Sequence, residues 1–199
     1  MTTASAPLRK GAVTRNRILT EALSLFAEKG VEGTSIRDIA LAVGIVDAAL
    51  YRHFRSKDEI VSEVFLLHYG ALAEAVTEIG AQQQPFRQTV RQLVEHFCTL
   101  FDEQPAVFSF ILLKQHDHLA GVSDEANVVE TLRQIMQRAY KMGDIVVDDA
   151  NAAAAMALGM VIQPAVFKLY GRIDKPMKSY VGALTDAVCR ALGIPSGVP

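Results

Sequence analysis

At 199 residues, 50% of them hydrophobic and 21% charged, the chain carries enough apolar side chain for one or two compact domains and too much for a disordered polymer. A net charge of −2 names no partner, and two well-separated cysteines, Cys98 and Cys189, exclude a disulfide framework and a paired metal site. Both sit in apolar helical patterns and read as buried free thiols of a reducing cytoplasm.

Residues 1–12 are small, polar and basic, without an apolar run that would make a secretory signal, and read as a basic N-terminal arm. From about Val13 the spacing of Ile18, Leu19, Ala22, Leu23, Leu25 and Phe26 predicts an amphipathic helix stopped at Lys29-Gly30. Thr34 and Ser35 offer capping hydroxyls to a short helix over 36–43, which buries Ile39, Ala40 and Val43 and ends at Gly44. A third helix runs from Val46 or Asp47 to His53. Ser56 with Glu59 is a capping-box pattern for a long fourth helix from Lys57 to about Gly80.

After Gln82-Gln83-Gln84-Pro85 the pattern predicts helices at about 85–103, 105–116, 124–142, 148–170 and 175–192. Ile145-Val146-Val147 is β-like but too short to oppose the rest. Ala152–Ile162 is too short for a membrane span and reads as a buried helix. Pro164 should kink its helix and free carbonyls. The expected fold is all-α: a three-helix head over 13–57 and a larger helical ligand-binding and dimerisation body over 58–199.

Charge is divided unevenly between them. From Met1 to Lys57 nine bases face five acids, whereas beyond Lys57 eleven bases face seventeen acids. A basic head on an acidic body points to a polyanion met by the head.

Two short helices around Gly44 make a helix-turn-helix. Its second helix opens flat, with Asp47, Ala48 and Ala49, and then turns aromatic and basic, with Tyr51, Arg52, His53, Arg55 and Lys57. Short side chains let a helix approach base edges in the major groove, while polar and basic ones beyond them reach phosphates. The residues expected at DNA are Thr34, Ser35, Arg37, Val46, Asp47, Ala48, Ala49, Tyr51, Arg52, His53 and Lys57. Arg37 is a reader of guanine, a phosphate contact or a solvated surface arginine.

The runs Thr34–Ala40, Val43-Gly44-Ile45 and Leu50–Asp58 (LYRHFRSKD), with Leu25–Gly30 (LFAEKG) upstream, resemble the DNA-binding domain of the TetR family of bacterial repressors. The resemblance covers about residues 13–60. It implies a cytoplasmic homodimer in which each head reads half of a palindromic operator on double-stranded DNA, and a small molecule in the body lowers DNA affinity. Val46 stands where that family commonly has a capping serine, and Val43 where alanine is common. Either Asp47 caps one residue later, or Thr34 and Ser35 carry more of the phosphate contact.

The dimer face expected from this resemblance and from small or apolar stripes is Ala150, Ala153, Ala154, Ala157, Leu158 and Val161 with Tyr180, Leu184, Ala187, Val188 and Ala191. A largely apolar effector is expected against His96, Phe97, Phe101, Phe108, His116, Met136, Tyr140, Met160 and Gln163. His116-Asp117-His118 does not make a metal site, because residues two apart on a helix do not share a face. No nucleophile elbow, phosphate loop or zinc motif is present, so neither catalysis nor a cofactor is expected. The rival readings are a small-molecule binder whose head meets protein rather than DNA, and a helical enzyme with an apolar pocket.

Overall fold

The computed structural model describes residues 10–114, 122 and 127–195. Nine α-helices occur among them: α1 (Lys10–Lys29), α2 (Ile36–Val43), α3 (Asp47–Leu50), α4 (Lys57–Ala81), α5 (Phe86–Glu103), α6 (Pro105–Ser109), α7 (Val128–Met142), α8 (Ala150–Leu169) and α9 (Val181–Leu192). A π-helical turn, Phe110–Lys114, follows α6, and a 3₁₀ turn, Met177–Tyr180, precedes α9. No strand occurs among the described residues.

The expected elements are present, with four corrections. Lys10–Ala12 belong to α1 rather than to an arm, and residues 1–9 lie outside the described residues. The third helix is four residues long, because from Arg52 the backbone tightens: Arg52 N–H donates to Ala49 and His53 N–H to Leu50. The expected helix over 105–116 changes at Phe110 from α to π winding. The helix at about 175 begins as the 3₁₀ turn, whose first N–H groups are capped by the Asp102 carboxylate through Met177 N and Lys178 N, both at 2.9 Å. Helix α8 continues through Pro164.

Helix α1 is the common wall of the molecule. It packs on α2 and α4 and also on α6 and the π turn. Ile18, Ala22 and Phe26, spaced by four residues, are fully buried on one face. Phe26 stacks on Phe110 with ring centroids 5.8 Å apart and planes 16° apart. The remaining core lies between α4, α5, α7, α8 and α9, and Asn127 joins two of these helices: it caps α7 at Val129 N and accepts from the Tyr69 hydroxyl of α4. Gly80 is needed where α4 meets α7, because a Cβ there would lie 2.5 Å from Ile135 Cδ1.

Both cysteines are free and buried, and burial pushes the Cys98 thiol up to about 11. Helices α4 and α8 are long and apolar enough by composition to cross a membrane, a test that core helices also pass.

Phe26→Ala and Phe110→Ala are each expected to cost about 3–5 kcal/mol of stability. Because the two rings share one contact, the double variant should lose less than the sum, measured by urea unfolding.

Candidate functional site

The helix-turn-helix is built from local chemistry. Ser35 caps α2 by accepting from Asp38 N at 3.1 Å, and the Asp38 carboxylate accepts from Ser35 N at 2.8 Å, a reciprocal capping box. Gly44 takes φ +73° at the C-terminus of α2, the left-handed conformation that reverses the chain cheaply only in glycine. Its N–H and that of Ile45 close back on Leu41 and Ala40. Ile39, Ala40, Val43 and Leu50 fill the seam between α2 and α3.

Three cations fix this unit instead of lying free. Arg17 Nη2 donates to the Val43 carbonyl at 2.7 Å, and Lys57 Nζ to the Val31 carbonyl at 2.9 Å. The Arg15 guanidinium lies 4.3 Å over the Phe54 ring and pairs with Glu63 of α4.

The face left exposed carries Arg37 on α2, Val46, Asp47 and Ala48 at the front of α3, half-exposed Ala49, then Tyr51, Arg52 and half-buried His53. Val46 is 71% exposed and Tyr51 55%, unusual for residues of their size in a folded core. No side chain caps α3: Val46 cannot, and Asp47 does not take over the role. At the start of α4, Ser56 accepts from Glu59 N, while the Glu59 carboxylate takes the N–H of Arg55 instead of Ser56.

Thr34 is a correction. It is 1% exposed, and its hydroxyl donates to the Gly30 carbonyl at 2.8 Å, so it staples the end of α1 and is not open to a phosphate. Ser35 remains exposed.

In the other half of the molecule a cavity of about 30 Å³ lies between α5, α7, α8 and α9. Its walls are Val90, Leu93, Val94, Phe97, Leu132, Met136, Ala157, Leu158, Val161 and Val188. Only Phe97 and Met136 of the nine expected ligand contacts are among them. Phe101 and Phe108 are buried edge to face, 5.1 Å apart, elsewhere in the core. His96 is half-buried with its edge to Phe97, and burial pushes its pKa down. Tyr140 and Gln163 are exposed, Met160 is half-buried, and His116 lies outside the described residues.

Four residues expected at a partner face, Ala157, Leu158, Val161 and Val188, are cavity walls. Ala153 and Ala154 are buried in the protomer, as are Val161 and Val188. Ala150, Tyr180, Leu184, Ala187 and Ala191 stay partly exposed. Opposite its buried side, α8 exposes Ala155, Met156, Gly159 and Phe167. The period alone cannot reveal which apolar stripe of such a helix turns inward.

Residues 18–64 match the family model described as bacterial regulatory proteins, tetR family. The chain is 40% identical over 111 residues to the HTH-type transcriptional repressor KstR2 of Rhodococcus jostii (strain RHA1), a match spanning 56% of this chain and about half of that protein, 53%. It is 25% identical over 174 residues to the HTH-type transcriptional regulator AcrR of Shigella flexneri, covering 85% of this chain and 79% of that one. The crystal structure of the TetR family transcriptional regulator PfmR from Thermus thermophilus superposes with a TM-score of 0.69 at 30% identity, over 87% of this chain and 97% of that one.

The capping box generates a pH prediction. The Ser35 hydroxyl first, then the Ser35 backbone N–H, hold the Asp38 carboxyl below its ordinary value. A carboxyl lowered on folding stabilises fully above its unfolded pKa, about 3.9, and the gain is lost as pH falls through the lower folded value. Ser35→Ala should therefore cost about 1 kcal/mol in neutral urea unfolding. The stability gap between Asp38→Asn and the unsubstituted protein should close as unfolding is repeated at increasingly acid pH.

Proposed function

This chain belongs to the TetR family of bacterial regulatory proteins, and from that premise we propose that it is a cytoplasmic, homodimeric transcriptional repressor that reads a palindromic operator and is released by a largely apolar effector. The observation that carries the reading is the exposed face of the helix-turn-helix, flat at Asp47-Ala48-Ala49 and flanked by Arg37, Tyr51 and Arg52. Seated in the major groove, the α3 front brings Val46 and Ala48 to thymine methyls and base edges. Arg37 reads guanine from the start of α2. Tyr51, Arg52 and His53 donate to phosphates, joined by Ser35 and by the two ammonium donors that Lys57 keeps beyond its bond to Val31.

Dimerisation uses the outward side of α8 around Met156, Gly159 and Phe167, together with Leu184, Ala187 and Ala191 of α9. This apolar side faces away from the core of its own protomer, and a helix apolar on both sides is stable in water only when both are covered. The effector occupies the cavity between α5, α7, α8 and α9. Two heads dock together only when their recognition helices stand about 34–36 Å apart or a multiple of it. An effector that binds another arrangement more tightly shifts the dimer away from DNA.

Selection of random duplex DNA by the purified protein, repeated across salt, is expected to enrich a palindrome, and Arg37→Ala with Tyr51→Ala is expected to abolish the enrichment. No enrichment at low salt from a folded dimer overturns the reading. In sedimentation the protein is expected to be a dimer and Gly159→Arg a monomer with weakened operator binding. The variant's protomer should still fold, read as an unchanged helical circular-dichroism spectrum, because a Cβ at Gly159 meets nothing within 4 Å, while its thermal midpoint falls by what the partner subunit contributed.

A further inference from the structure

The cavity between α5, α7, α8 and α9 has no side-chain nitrogen or oxygen on its wall; the one heteroatom there is the Met136 thioether. The helix backbones around it spend their N–H and C=O groups on their own turns, apart from the Met160 carbonyl, to which Pro164 has no N–H to offer and which is not on the wall. Three polar side chains on the same helices are already engaged: the Thr185 hydroxyl donates to the Val181 carbonyl at 2.7 Å, Thr89 Oγ1 accepts from Gln84, and Arg87 pairs with Asp186; His96 lies edge-on to Phe97 but is not among the wall residues. Among the described residues no buried side-chain nitrogen or oxygen lacks a partner. A ligand oxygen or nitrogen pushed into this space would give up its water and gain nothing in return.

Size narrows the class further. The cavity of about 30 Å³ is roughly a fifth of the ~150 Å³ apolar cavity that admits benzene. A rigid fused-ring body would have to separate four packed helices at once. A flexible chain enters by displacing one side chain after another, and Met136 and Leu158 have the rotamers to yield.

We propose that the effector is an amphiphile whose saturated, unbranched alkyl tail fills this cavity while its polar head stays outside the wall. The proposal rests on the reading of this cavity as the effector site and names the ligand class that the wall accepts. Chain length is then the specificity variable, and ring substituents contribute nothing, because no wall group distinguishes them.

The test is calorimetric titration of the full chain with octanoate, decanoate and dodecanoate, below their micelle thresholds, and with cholate as a rigid fused-ring carboxylate. Affinity is expected to rise about fourfold per added methylene, the ~0.8 kcal/mol of a buried CH₂, and dodecanoate to bind more tightly than cholate. Ala157→Phe, which fills the cavity, should end the rise at a shorter chain. Phe97→Leu, which enlarges it, should extend the rise to longer chains and stands in if the first variant does not fold. Affinity independent of length, cholate binding more tightly than dodecanoate, or the same length series in the unsubstituted protein and the variants overturns the proposal. Random-duplex selection is run separately. A chain that enriches a palindrome but shows no length series loses the alkyl site and keeps the regulator reading, whereas the opposite result keeps the alkyl site and removes the regulator.

Discussion

The offset stacking of Phe26 on Phe110 joins the first helix to the π turn of the larger helical part. Phe26 and Phe110 are both fully buried, and such a pair gains about 0.5–1.5 kcal/mol beyond the area it removes from water. On its other sides α1 holds the helix-turn-helix through Arg17 to the Val43 carbonyl, and α4 through Arg15 and Glu63. The head is therefore tied to the rest of the molecule in two places, along α4 and at Phe110. That residue opens the π turn directly after α6. Two residues earlier, Phe108 packs edge to face on Phe101 of α5, the helix that also supplies Phe97 to the cavity wall. Two aromatic pairs, Phe101 with Phe108 and Phe110 with Phe26, thus lie close in the chain between the helix that lines the cavity and the first helix.

The head's charge looks different once its contacts are known. Nine bases precede residue 58, but Arg15, Arg17 and Lys57 are engaged in holding helices together. Arg37, Arg52 and Arg55 are the exposed basic residues on or beside the two short helices. The basic stretch overlaps residues 18–64, which match the tetR family model, while the number of cations left exposed there is smaller than the composition suggests.

Much of the fold was legible because its determinants are local. Gly44 in its left-handed turn, the Ser35 cap, and the four-residue spacing of Ile18, Ala22 and Phe26 act within a few residues of themselves, so the sequence pattern carries them. Other assignments needed long-range contacts. Thr34 has the chemistry of a phosphate contact, but the way α1 ends turns its hydroxyl inward to Gly30. Ala153, Ala157, Val161 and Val188 have the small or apolar character of a partner face, yet they point into the protomer. The aromatic stripes that suggested a ligand pocket mostly became core, and aliphatic residues such as Val90 and Leu132 line the cavity instead. Nothing in a residue's own chemistry separates these fates, because each depends on which neighbouring helix covers it.

Helix α8 is a single-layer partition. Ala157, Leu158 and Val161 form part of the cavity wall on one side, and Ala155, Met156 and Gly159 are exposed on the other. An α-helix is a stiff rod about 10–12 Å across, so it transmits a push without absorbing it. Material added on the inner side emerges as displacement of the outer side, and in the proposed dimer that displacement is shared by two protomers about one symmetry axis. In that proposed dimer, with a guest in the cavity as proposed, the guest's volume would be converted into a length between two distant heads, with α8 as the moving wall.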